Sequence, residues 1–219
     1  MTSNSYLKRY LKLKELREIL KTREILFRDP VQWDDKNDYF TLQKYKVLKK
    51  YETLLALCLT KAKNDKYFFW KTYVSCPLEG VCIVFKKDEF INSIMAQVVN
   101  SRNEKLLQEC VQYPTIKQLH LEKYEIESLP FIKRFGYSKE EEYRFIYANK
   151  NITSKFFNLQ LDTIERICLN PYINNATART IKKEILNIKG CEKIKITRSG
   201  LGSSNKWKKA VESKFNVKT

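Results

Sequence analysis

KEEEYRFIY, residues 139–147, changes character at its midpoint: three consecutive glutamates run into alternating aromatic and polar side chains. Successive side chains of a strand point to opposite faces, so Tyr143, Phe145 and Tyr147 fall on one side, and Glu140, Glu142, Arg144 and Ile146 on the other. The aromatic side belongs in a core. Glu142 and Arg144, two positions apart, project side by side. They form either an ion pair on a solvent face or a carboxylate held ready for chemistry, its charge tuned by the arginine.

The same period-two reading applies at the start of the chain. Leu7, Arg9, Leu11 and Leu13 alternate as on one strand face, and then Leu16, Ile19 and Leu20 recur at helical spacing, predicting a strand followed by a short amphipathic helix. Arg9 therefore stands on an otherwise apolar face. It either reaches solvent at a strand end or lines a cavity, where its planar guanidinium suits a phosphate or carboxylate.

Further along, REILF predicts a short strand over 25–27, followed by a turn-rich loop at Asp29-Pro30 and Asp34-Asp35. Residues 42–51 suit a helix, and TLLALCLT (53–60) suits a buried strand, although periodicity alone does not exclude a helix there. NDKYFFWKTYV predicts a helix capped by Asn64 or Asp65, with Trp70 and Tyr73 one turn apart: core packing, or a stacking wall for a planar ring. GVCIVF (80–85) is a β-branched strand.

Residues 86–127, including INSIMAQVVN and NEKLLQECV, suggest a helical stretch readable as an insertion or lid. After the strand of the opening motif come a loop around ITSKFF, a strand at ERICLNP, a helix at NNATARTIKKEILNI, a strand at EKIKIT and a Gly/Ser turn, RSGLGSSN. Strands and helices alternate irregularly without a repeat. The expected fold is α+β, a mixed or antiparallel central sheet with flanking helices, in a single domain over 1–219.

Of 219 residues, 42 are Lys or Arg and 25 are Asp or Glu, a net charge of +17. Residues 1–28 hold eight basic residues against three acids and residues 179–219 hold twelve against three, so the two ends supply 14 of the 17. A surface of this kind is either simply solvated or tracks the phosphates of RNA or DNA or an acidic partner protein. Residues 203–219 form the basic C-terminal tail.

Six cysteines with no Cys-x-x-Cys pair and a single histidine, His120, give no zinc-ligand spacing and no Cys-His nucleophile, so the thiols read as reduced and mostly buried. No metal is expected. No apolar run approaches the roughly 20 residues that span a bilayer, and MTSNSYLKRY lacks the apolar segment of a secretory signal. A cytoplasmic location with no membrane partner is the expectation. GLGSS lacks the Lys-Ser/Thr ending of a phosphate-binding loop and is a turn.

Five stretches in order then form a recognisable pattern: Lys8-Arg9-Tyr10, FRDPVQWDDKND, Cys58-Leu59-Thr60, FFWKTYVSCPLEGVCIVF and Glu-x-Glu-Tyr-Arg. Over residues 7–199 this resembles the bacterial family known as domain of unknown function 2971, whose motifs are similar to lYKYR, fsxPxxFNDPfE, CFS, MWxxYaxxxxGvclxF and ExExR. Three departures stand out: Asp34-Asp35-Lys36 replaces Asn-Asp-Pro, Cys58-Leu59-Thr60 replaces Cys-Phe-Ser, and Phe69-Trp70 replaces Met-Trp. In layout rather than motif, the chain also resembles ADP-ribosyltransferases of the DarT-like, nucleic-acid-modifying toxin kind.

That second resemblance implies NAD as co-substrate. It makes Glu142 the carboxylate facing the positive charge that develops on the ribose, with Glu140 as the acceptor-facing base. Arg9 would clamp the pyrophosphate beside Tyr10, Thr60 would orient the glutamate or ribose, and Trp70 or Tyr73 would stack on nicotinamide. Arg144 is a further cofactor contact, and Asp35 with Lys206, Lys208 and Lys209 would hold the nucleic-acid acceptor. A toxin or phage-defence role with an antitoxin or inhibitor protein follows by analogy. The alternatives are a non-catalytic nucleic-acid or protein-binding module, and a metal-dependent nuclease using Asp34, Asp35, Asp38 and Glu142.

Overall fold

The structure is a computed structural model that describes residues 5–72 and 79–215. The elements run β1 (Tyr6–Lys12), α1 (Leu13–Thr22), β2 (Glu24–Leu26), α2 (Lys36–Leu48), β3 (Thr53–Thr60), α3 (Tyr67–Thr72), β4 (Gly80–Lys86), α4 (Lys87–Met95), β5 (Glu104–Cys110), α5 (Ile116–Leu121), β6 (Glu142–Asn149), β7 (Phe156–Asn158), β8 (Ile164–Leu169), α6 (Asn175–Leu186), β9 (Ile196–Arg198) and α7 (Asn205–Phe215). Among the described residues, seven strands form a central sheet in the order β5-β6-β3-β1-β4-β8-β9, and β2 pairs with β7 in a small second sheet. Among the described residues, only the β8–β9 pair in the large sheet is parallel. The fold is α+β with a mostly antiparallel sheet and flanking helices, as the irregular alternation of elements predicts.

One face of the sheet carries the main core. Leu7 and Leu11 of β1, Leu55, Leu57 and Leu59 of β3, and Tyr143, Phe145 and Tyr147 of β6 all join it, so the period-two patterns hold strand by strand. α1 covers this face with Leu13, Leu16, Ile19 and Leu20, the i, i+3, i+4 spacing of an amphipathic helix. Phe145 packs edge-on against Phe27, Phe90 and Tyr143. The opposite face is divided: α2 and Phe131 cover Ala56, Ile146 and Ala148, whereas Phe69 and Trp70 of α3 cover Tyr10, Cys82 and Val84.

The division reflects how the sheet is joined. β1 pairs with β4 at every position from Tyr6 to Lys12, and β3 pairs with β6 from Thr53 to Thr60. Between β1 and β3, however, the register holds at Lys8↔Thr60 alone. The strands then diverge, and the gap is closed at its wide end by Arg28, whose backbone N–H and C=O both bond to Ala56 at 2.9 Å. A V-shaped opening therefore lies inside the sheet, with Arg9 to Lys12 on one wall and Ala56 to Leu59 on the other.

Two expectations fail. NEKLLQECV is not helical: Glu104–Cys110 is the edge strand β5, paired along its whole length with β6, so strand pairing rather than helical packing occupies the centre of 86–127. The alternation Leu106, Gln108, Cys110 was obscured by Leu107, which packs on the other face. The ITSKFF loop ends in β7, whose Phe157 is fully buried and pairs with Ile25. The buried 53–60 segment is a strand, resolving its helix-or-strand ambiguity. No helix among the described residues is long and apolar enough to cross a membrane.

Replacing Phe145 by Ala empties a site ringed by three aromatic neighbours. The expected loss is about 3–5 kcal/mol of unfolding free energy, measured by urea denaturation.

Candidate active site

Arg144 is the centre of a buried charged group. Its Nε donates to Glu142 Oε1 (2.8 Å) and its Nη2 to Glu142 Oε2 (2.9 Å). The outer edge of the guanidinium meets Asp38 of α2, Nη1 to Oδ1 (3.0 Å) and Nη2 to Oδ2 (2.8 Å), and Nη1 also reaches the Pro130 carbonyl (2.9 Å). All five N–H donors are used, and the Trp33 ring covers the guanidinium at 5.2 Å. Arg144 is fully buried, so this is no surface ion pair.

Lys133 completes the group. Its Nζ bonds to Glu140 Oε2 (2.7 Å) and lies 3.4 Å from both Glu142 Oε2 and Asp38 Oδ2. Three carboxylates thus share two cations in a desolvated space. Burial opposes charge on Lys133, but Glu142, Asp38 and Glu140 outweigh it and push its pKa up. Burial likewise would raise Glu142. Arg144 and Lys133, with a hydrogen bond involving the Cys58 thiol, instead hold its pKa at about 2. Glu142 is therefore ionised and fixed in orientation.

Glu142 opens β6, but Glu140 does not lie on the strand. It ends a 3-10 turn, Phe135–Glu140, and Glu141 follows with φ of 46°, which re-aims the chain into β6. The Thr60 hydroxyl, at the end of β3, donates to the Glu140 carbonyl (2.6 Å) and accepts from the Ala62 N–H (3.1 Å). Thr60 fixes the backbone that carries Glu140 rather than touching a glutamate side chain. The Tyr113 hydroxyl accepts from the Glu142 N–H (2.8 Å), securing the strand start from the other side.

At the apex of the V, a cavity of about 40 Å³ is lined by Lys8, Arg9, Tyr10, Thr60, Glu140 and Glu142, with Cys58 and Leu59. It has room for water but not for a nucleotide. It adjoins a larger cavity of about 310 Å³ through the shared residues Arg9, Tyr10 and Cys58, and there Arg28, Glu15 and Trp33 are added to the lining. Arg9 belongs to both. Its Nη1 is buried with no hydrogen-bond partner among the described residues, and burial, reinforced by Arg28, lowers its pKa to about 10. Of the two readings of Arg9, solvent-reaching or cavity-lining, the structure shows the second.

Five residues singled out separately in the sequence, Arg9, Tyr10, Thr60, Glu140 and Glu142, thus meet at one cavity. Others do not. Arg144 stands behind Glu142 with no donor left for a ligand, so it positions the carboxylate instead of contacting a cofactor. Trp70 is core: its indole N–H bonds to Asp65 (2.8 Å) and its ring packs edge-on against Tyr10, leaving no open face for a nicotinamide ring. Tyr73 lies outside the described residues. Asp35 caps α2, accepting from the N–H groups of Asn37 and Asp38, while its Oδ2 is buried without a partner among the described residues. Lys206, Lys208 and Lys209 project from α7, which buries none of its residues.

The carboxylates proposed for a metal do not gather around one point. Asp38 and Glu142 are drawn onto Arg144, Asp35 is a helix cap, and no group of three metal-binding side chains occurs among the described residues. Sequence reasoning missed Lys133, Arg28 and Trp33, and valued Asp38 only as a metal ligand. Lys133 comes from an irregular connection with no periodic signal. Trp33, in contrast, lies in the FRDPVQWDDKND motif.

No family model matches the chain, and no curated protein does, so the likeness to domain of unknown function 2971 rests on the motifs alone. Solved structures of Thermus sp. 2.9 DarT are similar in overall layout. The complex with NAD+ gives a TM-score of 0.44 at 7% identity, covering 90% of this chain and 96% of that one. The complex with ADP-ribosylated ssDNA gives 0.46 at 7% identity, covering 90% and 94%.

The buried charges make acid stability testable. Because the folded pKa of Glu142, about 2, lies below its usual 4.5, its ionised form stabilises the fold above about pH 4.5, and this contribution is lost as pH falls toward about 2. Thermal melts across that window should show the decline, and Glu142→Gln should flatten it. Arg144→Met strands Asp38 and Glu142, with an expected loss of about 3–5 kcal/mol in urea denaturation.

Proposed function

We propose that this protein is an NAD-dependent ADP-ribosyltransferase acting on nucleic acid, RNA or DNA. The observation that carries the reading is the apical cavity, lined both by a fixed, ionised Glu142 and by Arg9, whose buried Nη1 has no hydrogen-bond partner among the described residues. A half-buried arginine whose Nη1 donor is buried and unpartnered among the described residues suits a phosphate oxygen. A buried carboxylate suits developing positive charge. A nucleoside pyrophosphate whose glycosidic bond breaks with the electrons leaving on the base presents both within one molecule.

In this reading the pyrophosphate lies in the larger cavity between Arg9 and Arg28, whose volume is within the ordinary range of small-molecule sites, and Trp33 offers a ring face. The bond from ribose C1′ to nicotinamide breaks, and nicotinamide leaves with the electron pair. Glu142 accepts a hydrogen bond from a ribose hydroxyl and stabilises the cationic ribose. The acceptor nucleophile then bonds to C1′ and loses its proton to Glu140. Arg144, Lys133 and Asp38 act only by holding the two glutamates in place. Chemistry of this kind would harm the cell that makes it, so a toxin or phage-defence role with a neutralising partner protein belongs to the same proposal.

Labelled NAD incubated with separate pools of RNA, DNA and protein tests it. Label should enter nucleic acid with release of nicotinamide. Glu142→Gln should lower the rate by about 10²–10³-fold, the cost of removing one strong electrostatic stabiliser. Arg9→Ala should raise KM for NAD by about tenfold or more, the usual cost of a charged hydrogen bond. No transfer and no nicotinamide release by folded wild-type protein would leave only a non-catalytic binding module.

A further inference from the structure

A second cavity lies away from Glu142. It is a groove of about 440 Å³ between α6 and the edge strand β9, floored by Leu169 and Ile196 and rimmed by Arg179, Lys182, Arg198 and Asn175. No carboxylate among the described residues lines it. Arg179 and Lys182 are exposed and, at i and i+3, share one helix face, while Ile181 and Ile185 on the adjoining face are buried in the core. Arg198 is pre-aimed: its Nη1 donates to the Ile173 carbonyl and to Asn175 Oδ1, both at 2.9 Å, which leaves Nε and Nη2 without a partner among the described residues. Arg179 bonds only to the Asn175 carbonyl, through Nε (3.3 Å). None of the three cations forms an ion pair among the described residues, whereas Arg17, on the neighbouring α1, is paired with Glu184.

We propose that this groove binds the phosphodiester backbone of a single-stranded nucleic acid. Two guanidinium forks and an ammonium over an apolar floor match a row of phosphate oxygens, and the absence of acidic residues removes any repulsion. Helix α7 follows β9 in the chain. Gly202 brings the chain against Pro171, where a Cβ would lie 2.8 Å from the Pro171 carbonyl oxygen, and so ties the start of α7 to the connection between β8 and α6 beside the groove. On α7, Trp207 is 72% exposed between Lys206 and Lys208, an aromatic face flanked by cations that suits stacking of an unpaired base.

The sheet register relates the groove to the apical cavity. Arg9 is in register with Ile83, Ile83 with Ile167 and Ile167 with Ile196, so groove and Arg9 are three strand spacings apart, about 14 Å. As a track delivering the acceptor to Glu142 the groove rests on the transferase reading. Binding in it does not.

Fluorescence anisotropy with a short labelled oligonucleotide, as DNA and as RNA, over a salt series and without NAD tests the site. The variant Arg179→Ala/Lys182→Ala/Arg198→Ala should lose at least tenfold in affinity, with a slope of log K against log salt flatter by about 2, three contacts at about 0.7 each. Trp207→Ala should lose about tenfold. A control triple variant near the opposite sheet edge, Arg102→Ala/Lys117→Ala/Lys123→Ala, should lose less than twofold. Equal losses in the two triple variants, or none in the groove variant, would overturn the proposal. So would binding of polyglutamate but not of oligonucleotide, which would mark an acidic protein surface as the ligand. Wild-type binding without nicotinamide release would sink the transferase alone, and nicotinamide release with undiminished binding in the groove variant would sink the groove alone.

Discussion

The divergence of β1 from β3 after a single pair, Lys8 with Thr60, is the constraint on which the rest of the architecture depends. A sheet that stayed laddered there would bring the two strands to the usual spacing of about 4.8 Å and leave no interior space. Instead the separated strand edges expose backbone and side chains to an internal opening, and Arg28 restores pairing only at Ala56. The divided outer face follows from the same geometry, because α2 and α3 each cover one half of the sheet and neither spans the gap.

Such an opening is useful only if its polar lining is held in place. Glu142 lies at a strand start and Glu140 at the end of an irregular turn, neither of which is rigid by itself. Arg144 and Lys133 tie both to α2, and Thr60 and Tyr113 tie down the backbone between them. Burial raises the cost of leaving any member unpaired, so the group behaves as a unit. A chain with a net charge of +17 can therefore concentrate negative charge locally: the carboxylates are neutralised from behind by two buried cations, while the excess positive charge is carried on the exposed surface, including the groove edge and α7.

Much of the fold was legible because burial on one side of a strand imposes a period that survives in the sequence. The alternation in 143–147 and in 7–11 and the helical spacing of α1 all correspond to observed elements. Where both sides are covered, the signal weakens. β5 carries Leu106 and Leu107 on opposite faces, and its residues were misread as helix for that reason. Motif reasoning singled out Arg9, Thr60, Glu140 and Glu142, which line one cavity, but also set Trp70 against a ligand, because an aromatic pair at helical spacing looks the same whether it faces a ligand or Tyr10.

By itself the sequence determined the strand faces, the α+β class, the basic ends and the pairing of Glu142 with Arg144, since each depends on residues close together in the chain. Only the tertiary structure decided that this pair is buried, that Asp38, more than a hundred positions away, shares the arginine, that Lys133 balances the glutamates, and that Arg9 lines the same cavity with one donor unpartnered among the described residues. Those outcomes depend on which strand lies next to which and where one pair of strands separates. Contacts between distant segments are set by packing of the whole sheet, and no local period encodes them.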